Sequence, residues 1–256
     1  MAILLPAFAG LIVARRLIPA LLPLLADGGL RALNFRGEGV SVGYGAGLAL
    51  VGGVGAFALG SEPLAGAIFA FAFLGLLDDV LGNRSTGGLR GHLGALGRGT
   101  LTTGAIKAVV GAAVALAIAS RLAPTPMDTV VDGLLIALWA NALNLLDVRP
   151  GRALKAFLPL GLGALSLPGA EAFAPLWGAA IGGWPTDLGT RGMMGDVGSN
   201  TLGAALGMMA TTAPLDVRVG LVALLLLFHL YTEHHSISTF IEQHPGLRRL
   251  DEWGRT

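Results

Sequence analysis

Long apolar runs alternate with short polar connections along almost the whole chain. A helix needs about 20 residues to cross the hydrocarbon core, and apolar segments fall near residues 3–26, 43–60, 63–77, 104–121, 129–146, 153–168, 171–183, 199–213 and 217–231, which predicts about nine transmembrane helices. Two boundaries are tight. Only Gly60, Ser61, Glu62 and Pro63 separate the second segment from the third, and Pro168, Gly169 and Glu171 break the region from 153 to 183. The first segment reads as a retained span, because Arg15 and Arg16 lie within it and no small-residue cleavage site of a signal peptide stands out. The pattern predicts an all-α integral membrane protein: one polytopic bundle over residues 1–256, with residues 232–256 as a tail.

Composition agrees, with 54% hydrophobic and 13% charged residues, against roughly 25% charged in ordinary globular domains. The 40 glycines are about twice the usual share and suit close helix approach in lipid, where small residues let backbones meet. Such faces also make a homodimer an expected assembly. With no cysteine, disulfides, Fe–S clusters and thiolate zinc sites are excluded, so any metal must be held by oxygen or imidazole. A net charge of +1 gives no case for a nucleic-acid partner.

Basic residues set the orientation, since loops rich in Lys and Arg stay cytoplasmic. Alternate connections carry Arg31 and Arg36; Arg84, Arg90, Arg98 and Lys107; Arg149, Arg152 and Lys155; Arg191; and the tail carries Arg248, Arg249 and Arg255. The intervening connections hold only Arg121 and Arg218. The expected topology puts Met1 outside and Thr256 inside, with Leu247, Leu250 and Trp253 at helical spacing laying the tail along the inner membrane surface.

Three acidic motifs stand on that cytoplasmic side, at segment edges: LDD at Leu77 to Asp79, NALNLLD from Asn141 to Asp147, and GDVGS from Gly195 to Ser199. An ionisable group near the bilayer is costly to dehydrate and by default marks a functional site. Adjacent helical residues diverge by about 100°, so Asp78 and Asp79 can address different atoms of one site, one holding a metal while the other takes a proton. The plainer reading, a solvated acidic helix end, runs against the macrodipole, which disfavours acids at a helix C-terminus. Asn141, Asn144 and Asp147 recur every three residues and form one polar stripe, for which interhelical hydrogen bonding is the alternative. Arg149, Arg152 and Lys155 follow it, either as positive-inside residues or facing substrate.

Asp196 lies between glycines just before a span, with Ser199 at the helix start. That arrangement suits a hard cation on the carboxylate beside a phosphate on the helix amides. A plain N-cap would explain either residue alone but not the coincidence with the other acids. The tail joins His234, His235 and His244 to Arg248 and Arg249. His234 and His235 are the candidates for a diphosphate, His229 reads as a packed core histidine, and His92 and His244 read as surface residues.

The order LDD, NxxNLxD, GDxGS with LG soon after, and then a histidine-containing loop resembles the polyprenyl-phosphate sugar-1-phosphate transferase family over about residues 31–240. That family includes the phospho-MurNAc-pentapeptide transferases and the polyprenyl-phosphate GlcNAc-1-phosphate transferases. LNFRGEGVSVGYG, starting at Leu33, is similar to the family's first cytoplasmic loop, and LDEWGR looks like a variant C-terminus. The resemblance implies a magnesium-dependent enzyme of the plasma membrane, working in cell-envelope glycan synthesis, that transfers a sugar-1-phosphate from a UDP-sugar to undecaprenyl phosphate and releases UMP. Residue by residue, it implies Asp196 as the Mg2+ ligand, Asp78 or Asp79 to deprotonate or orient the lipid phosphate, and Lys107 as the family lysine after the second cytoplasmic loop. Asn141, Asn144, Asp147, Arg152 and Ser199 would line the substrate side, and His234 and His235 would help hold the diphosphate. Both reactants are anionic, so a screening cation is chemically required in any case.

Several positions depart from the family pattern. Gly82 stands where the pentapeptide transferases usually carry lysine, with Arg84 two positions beyond; Asp147-Val148-Arg149-Pro150-Gly151 replaces DGLDG; Met193 replaces the aromatic expected to stack on uracil; and the family's last span has no counterpart. These changes fall on nucleotide and sugar recognition more than on the metal and lipid-phosphate apparatus. Of the competing classes, a transporter or flippase would place coupling acids near mid-membrane, often with inverted repeats, whereas these acids sit at one face and no repeat is visible. A non-catalytic homologue would have lost the acids. A CDP-alcohol phosphotransferase needs Asp-Gly followed by Ala-Arg, which this chain lacks.

Overall fold

The computed structural model describes residues 1–82 and 103–255. In order these form α1 (Leu4–Asp27), β1 (Arg31–Leu33), β2 (Gly39–Val42), α2 (Gly45–Ala58), α3 (Glu62–Leu81), α4 (Thr103–Leu122), α5 (Pro126–Leu146), α6 (Arg152–Ala164), α7 (Ala170–Leu188), β3 (Gly192–Met193), α8 (Gly195–Ala210), α9 (Leu215–His234), α10 (Ile237–Gln243) and α11 (Pro245–Glu252). Each of the nine apolar segments is a helix. Pro63 and Pro126 sit in the first turns of α3 and α5, where a missing N–H is no loss, and the Thr125 hydroxyl accepts the Asp128 amide at 3.1 Å to start α5. Arg84, Arg90, His92 and Arg98 lie outside the described residues.

Among the described residues, five helices are long and apolar enough to cross a membrane: Leu4–Asp27, Glu62–Leu81, Gly104–Leu122, Pro126–Leu146 and Leu215–His234. By contrast α2, α6 and α8 have 14, 13 and 16 residues, about 20–24 Å at 1.5 Å per residue and short of a hydrocarbon core of about 30 Å. Large apolar side chains face outward on the long helices, among them Phe8 and Val13 of α1, Phe73 of α3, Val109 of α4, and Leu224 and Leu227 of α9. In water such faces would drive association; in a bilayer they meet lipid.

The all-α expectation is corrected at one place. The connection after α1 folds as a hairpin, with β1 antiparallel to β2, and β2 runs parallel to β3 with Ser41 opposite Gly192 and Val42 opposite Met193. Val40 and Val42 supply β-branched residues that fit a strand, and Asn34 closes the turn by accepting the amides of Arg36 and Glu38 at 2.8 and 3.0 Å. This sheet ties the end of α1 to the starts of α2 and α8.

Helix α8 is the hub, buried at every residue from Val197 to Ala210. Glycine makes that possible. A Cβ on Gly203 or Gly207 would overlap the α5 backbone at Trp139–Ala140 and Leu135–Ile136, and one on Gly75 of α3 would overlap the Asp196 carbonyl. Gly45 at the start of α2 meets Gly198 backbone to backbone. The pairing of α1 with α7 uses the same device, Gly178 against Ala7 and Gly10 against Pro175.

Helix α9 packs on α5 and is pinned by charge at its start. Arg218 donates to Asp132 and Asp128, each at 2.7 Å, with all three residues buried. One of the two arginines that stood apart from the cytoplasmic charge bias is therefore neutralised within the fold.

The packing sets an expectation for two glycines on one helix. Gly66→Ala, where nothing lies within 4 Å of the added carbon, should leave thermal unfolding in detergent unchanged or slightly raised. Gly75→Ala should destabilise by about 1–3 kcal/mol, the usual scale for overpacking. Equal melting of the two variants would show that α3 and α8 are not in backbone contact.

Candidate functional site

The site grows from the N-terminus of α8. A buried helix start has amides that water cannot reach, and Asp79 at the end of α3 supplies the acceptors: Oδ1 takes the Asp196 amide at 2.9 Å and Oδ2 the Val197 amide at 3.0 Å. Gly195 precedes them with φ 74°, and a Cβ there would meet the Asp79 carboxylate at 2.6 Å, so glycine is needed twice over, for its backbone angle and for the approach of the acid. The anion expected on these amides is thus the chain's own carboxylate. A phosphate has no access to those two donors.

Asp78, one residue earlier, turns to a different partner. Lys107 near the start of α4 reaches Asp78 Oδ2 at 3.3 Å and also bonds Asp196 Oδ2. The Asn144 amide of α5 donates to the same Asp196 oxygen at 2.7 Å and to Asn200 Oδ1 at 3.2 Å. Two helix ends therefore orient one carboxylate. Asp147 follows at the end of α5, where burial first, then the charges of Asp187, Asp196 and Asp79, push its carboxyl well above the usual range. Among the described residues, Lys107 is the cation bonded to this group, through Asp78 and Asp196.

The remaining candidates are placed as follows. Asn141 is exposed, one turn away from Asn144, and has no hydrogen-bond partner among the described residues. Ser199 is buried, and its hydroxyl bonds back to the Gly195 carbonyl at 3.3 Å. Arg152 starts α6 and is buried against the tail, with Nε and Nη2 on Asp251 at 2.8 and 3.1 Å and Nη1 on Ser238 at 3.0 Å. His234 and His235 lie exposed at the end of α9, with the His235 ring stacked on Tyr231 at 4.6 Å.

Two acids and an amide escaped the sequence reading. Asp187 of α7 accepts the Gly151 amide at 2.7 Å, holding the turn after Asp147 closed. Asp251 gathers Arg152, Arg255 and the tail; burial alone would raise its carboxyl, but the Arg152 hydrogen bond and charge, then Arg255, keep it below the usual range. Asn200 orients Asn144 and is buried in α8. The one signal for Asp187 was an acid four residues beyond the apolar segment 171–183, at a segment edge like Asp78 and Asp79.

The donor set fits magnesium in one particular manner. No group of three or more Asp, Glu or His side chains forms a ready cage among the described residues, and Asp79 has both oxygens committed. Asp78, Asp147 and Asp196 nevertheless lie half-buried at neighbouring helix ends, where their oxygens are of the kind a hard cation takes. Magnesium is commonly bound by one or two carboxylates, with water and substrate phosphate completing the octahedron, and Asp196 with Asp78 or Asp147 can supply that share.

No protein-family model matches the chain, and no curated protein matches it.

The two adjacent aspartates should separate cleanly on substitution. Asp79→Ala leaves two buried amides unpaired, each costing about 1–3 kcal/mol, and should lower the detergent melting temperature sharply, while Asp78→Ala should leave it within a degree or two. Equal losses would mean that Asp79 does not cap α8.

Proposed function

We propose that this protein is a membrane-bound, magnesium-dependent sugar-1-phosphate transferase of the polyprenyl-phosphate type, passing a sugar-1-phosphate from a UDP-sugar to a polyprenyl phosphate with release of UMP. The observation that carries the reading is the meeting of Asp78 and Asp196 on Lys107, beside Asp147, at the ends of four helices. The motif order along the chain agrees with it.

The reaction joins two anions. An oxygen of the lipid phosphate attacks the β-phosphorus of the UDP-sugar, the bond from that phosphorus to the bridging oxygen breaks, and UMP departs with the bridging oxygen while the sugar keeps its phosphate in the new diphosphate. Asp78, partly exposed and paired with Lys107, takes the proton of a monoprotonated lipid phosphate. Lys107 offsets negative charge between the reacting groups, and Asn144 holds Asp196 in one orientation. Asp79 acts through α8, as a positioning residue. Magnesium, when held at Asp196, supplies the charge neutralisation that two phosphates need to approach. Positioning and preorganised charge give most of the acceleration in phosphoryl transfer. His234 and His235 remain candidates for the diphosphate.

In this reading all nine apolar helices are spans, the short α2, α6 and α8 being shielded by their neighbours, and the acid cluster faces the cytoplasm of a plasma membrane. A reporter fused after Thr256 should therefore score as cytoplasmic. An extracytoplasmic signal would put the tail, and Asp251 with it, on the wrong side for a cytoplasmic site.

Purified protein given a panel of UDP-sugars should release UMP only when undecaprenyl phosphate and magnesium are both present. Asp196→Asn should reduce that release by about 100-fold or more at saturating magnesium, with melting unchanged. Near-normal turnover of the variant would remove Asp196 from the chemistry, and acceptor-independent release would defeat the transferase reading.

A further inference from the structure

The turn Asp147–Gly151 is held from several directions. Asp187 accepts the Gly151 amide at 2.7 Å, Arg255 donates to the Pro150 carbonyl from Nε at 3.2 Å and from Nη2 at 3.1 Å, and Arg152 is locked to Asp251. Gly151 adopts φ 78°, which lets the chain reverse directly into α6. At the centre of this turn Arg149 is neither buried nor free to sweep. Its guanidinium carbon lies 5.3 Å from the ring centroid of Phe35, at the tip of the β1–β2 hairpin, and Arg36 sits over the same ring at 5.2 Å. The hairpin tip is itself fixed by Asn34, whose Nδ2 bonds Glu38 at 2.8 Å.

Arg149 has no carboxylate partner among the described residues. The contrast with its neighbours is sharp, since Arg152 and Arg255 both pair with Asp251. An aromatic ring attracts the cation but offers its N–H groups no oxygen, so the donors of Arg149 stay available. A guanidinium presents them as a planar fork matched to phosphate or carboxylate. Arg149 lies two residues beyond Asp147, in the turn that leads away from the acid cluster.

We infer that Arg149, oriented by Phe35, is a donor-binding residue that takes an anionic oxygen pair of the nucleotide sugar at the rim of the aspartate site. The inference rests on the transferase reading and deepens it. The anion is either the diphosphate shared by all UDP-sugars or an acid group on the sugar, and both present the same planar oxygen pair.

The test is calorimetric titration of the full chain in neutral-lipid nanodiscs with magnesium, using UDP, UDP-N-acetylglucosamine and UDP-glucuronate as probes. Arg149→Ala should weaken binding about tenfold to 100-fold, the range for a hydrogen bond to a charged group. Arg149→Lys should recover part of the loss, and Phe35→Leu should weaken binding by a few fold. A loss common to all three probes assigns the diphosphate; a loss confined to UDP-glucuronate assigns an acidic sugar. Wild-type binding that Arg149→Ala leaves unchanged for every probe overturns the inference and spares the transferase reading. Failure of the wild type to bind any of the three overturns both. Thermal unfolding of the same samples accompanies each titration, and a fold defect in Arg149→Ala leaves Arg149→Lys and Phe35→Leu to decide, unchanged affinity in both being the overturning result.

Discussion

The carboxylate of Asp79 closes the start of α8, and much of the molecule is arranged around that contact. Helix α8 is buried from Val197 to Ala210, so amides of its first turn need a partner from the protein, and leaving a buried donor unpaired costs about 1–3 kcal/mol. An acid from α3 answers the need, and its charge is also favoured by the positive end of the helix dipole. For Asp79 to reach α8 the two helices must touch backbone to backbone, which only a residue without a side chain at position 75 permits. Once that contact forms, Asp78 is committed to the other side of α3, toward Lys107.

Charge balance then distinguishes the two ends of the bundle. At the start of α9 one arginine meets two aspartates and a threonine hydroxyl helps satisfy the nearer acid, so both acids are held by partners and α9 is anchored to α5. The tail is closed in the same way, with Arg152 and Arg255 on Asp251 and Lys155 on the Asp251 carbonyl at 2.6 Å. The cluster at Asp78, Asp79, Asp147 and Asp196 is different, because among the described residues Lys107 is the one cation bonded to it. Acids gathered at one set of helix ends with shifted titration mark a candidate functional site.

The hairpin and the tail explain how a small chain supports this site. Neither contributes an acid to the cluster, yet together they hold the turn that follows Asp147: Phe35 lies under Arg149, and Arg255, Trp253 and Asp251 dock on the ends of α6 and α7, with Trp253 edge-on to Trp184 at 6.2 Å. A turn fixed on both sides keeps Asp147 and Arg149 in one arrangement, the preorganisation that the proposed phosphate chemistry would use.

Nine helical segments, the edge at Pro63, and the acids at three segment edges could all be read from the chain, because dehydration of a backbone in lipid and the rarity of charge within apolar runs are properties of local sequence. The polar repeat Asn144 to Asp147 was visible for the same reason. The tertiary structure alone decided that Asp79 caps a helix while Asp78 meets a lysine, that Asn141 drops out of the stripe, that Arg152 is taken by Asp251 from 99 residues away, and that the loop from Leu33 folds into a sheet beside Met193. A carboxylate or guanidinium acquires its role from whichever partner lies within about 3 Å. Those distances are set by the rotation and approach of helices far apart in sequence, which no local pattern records.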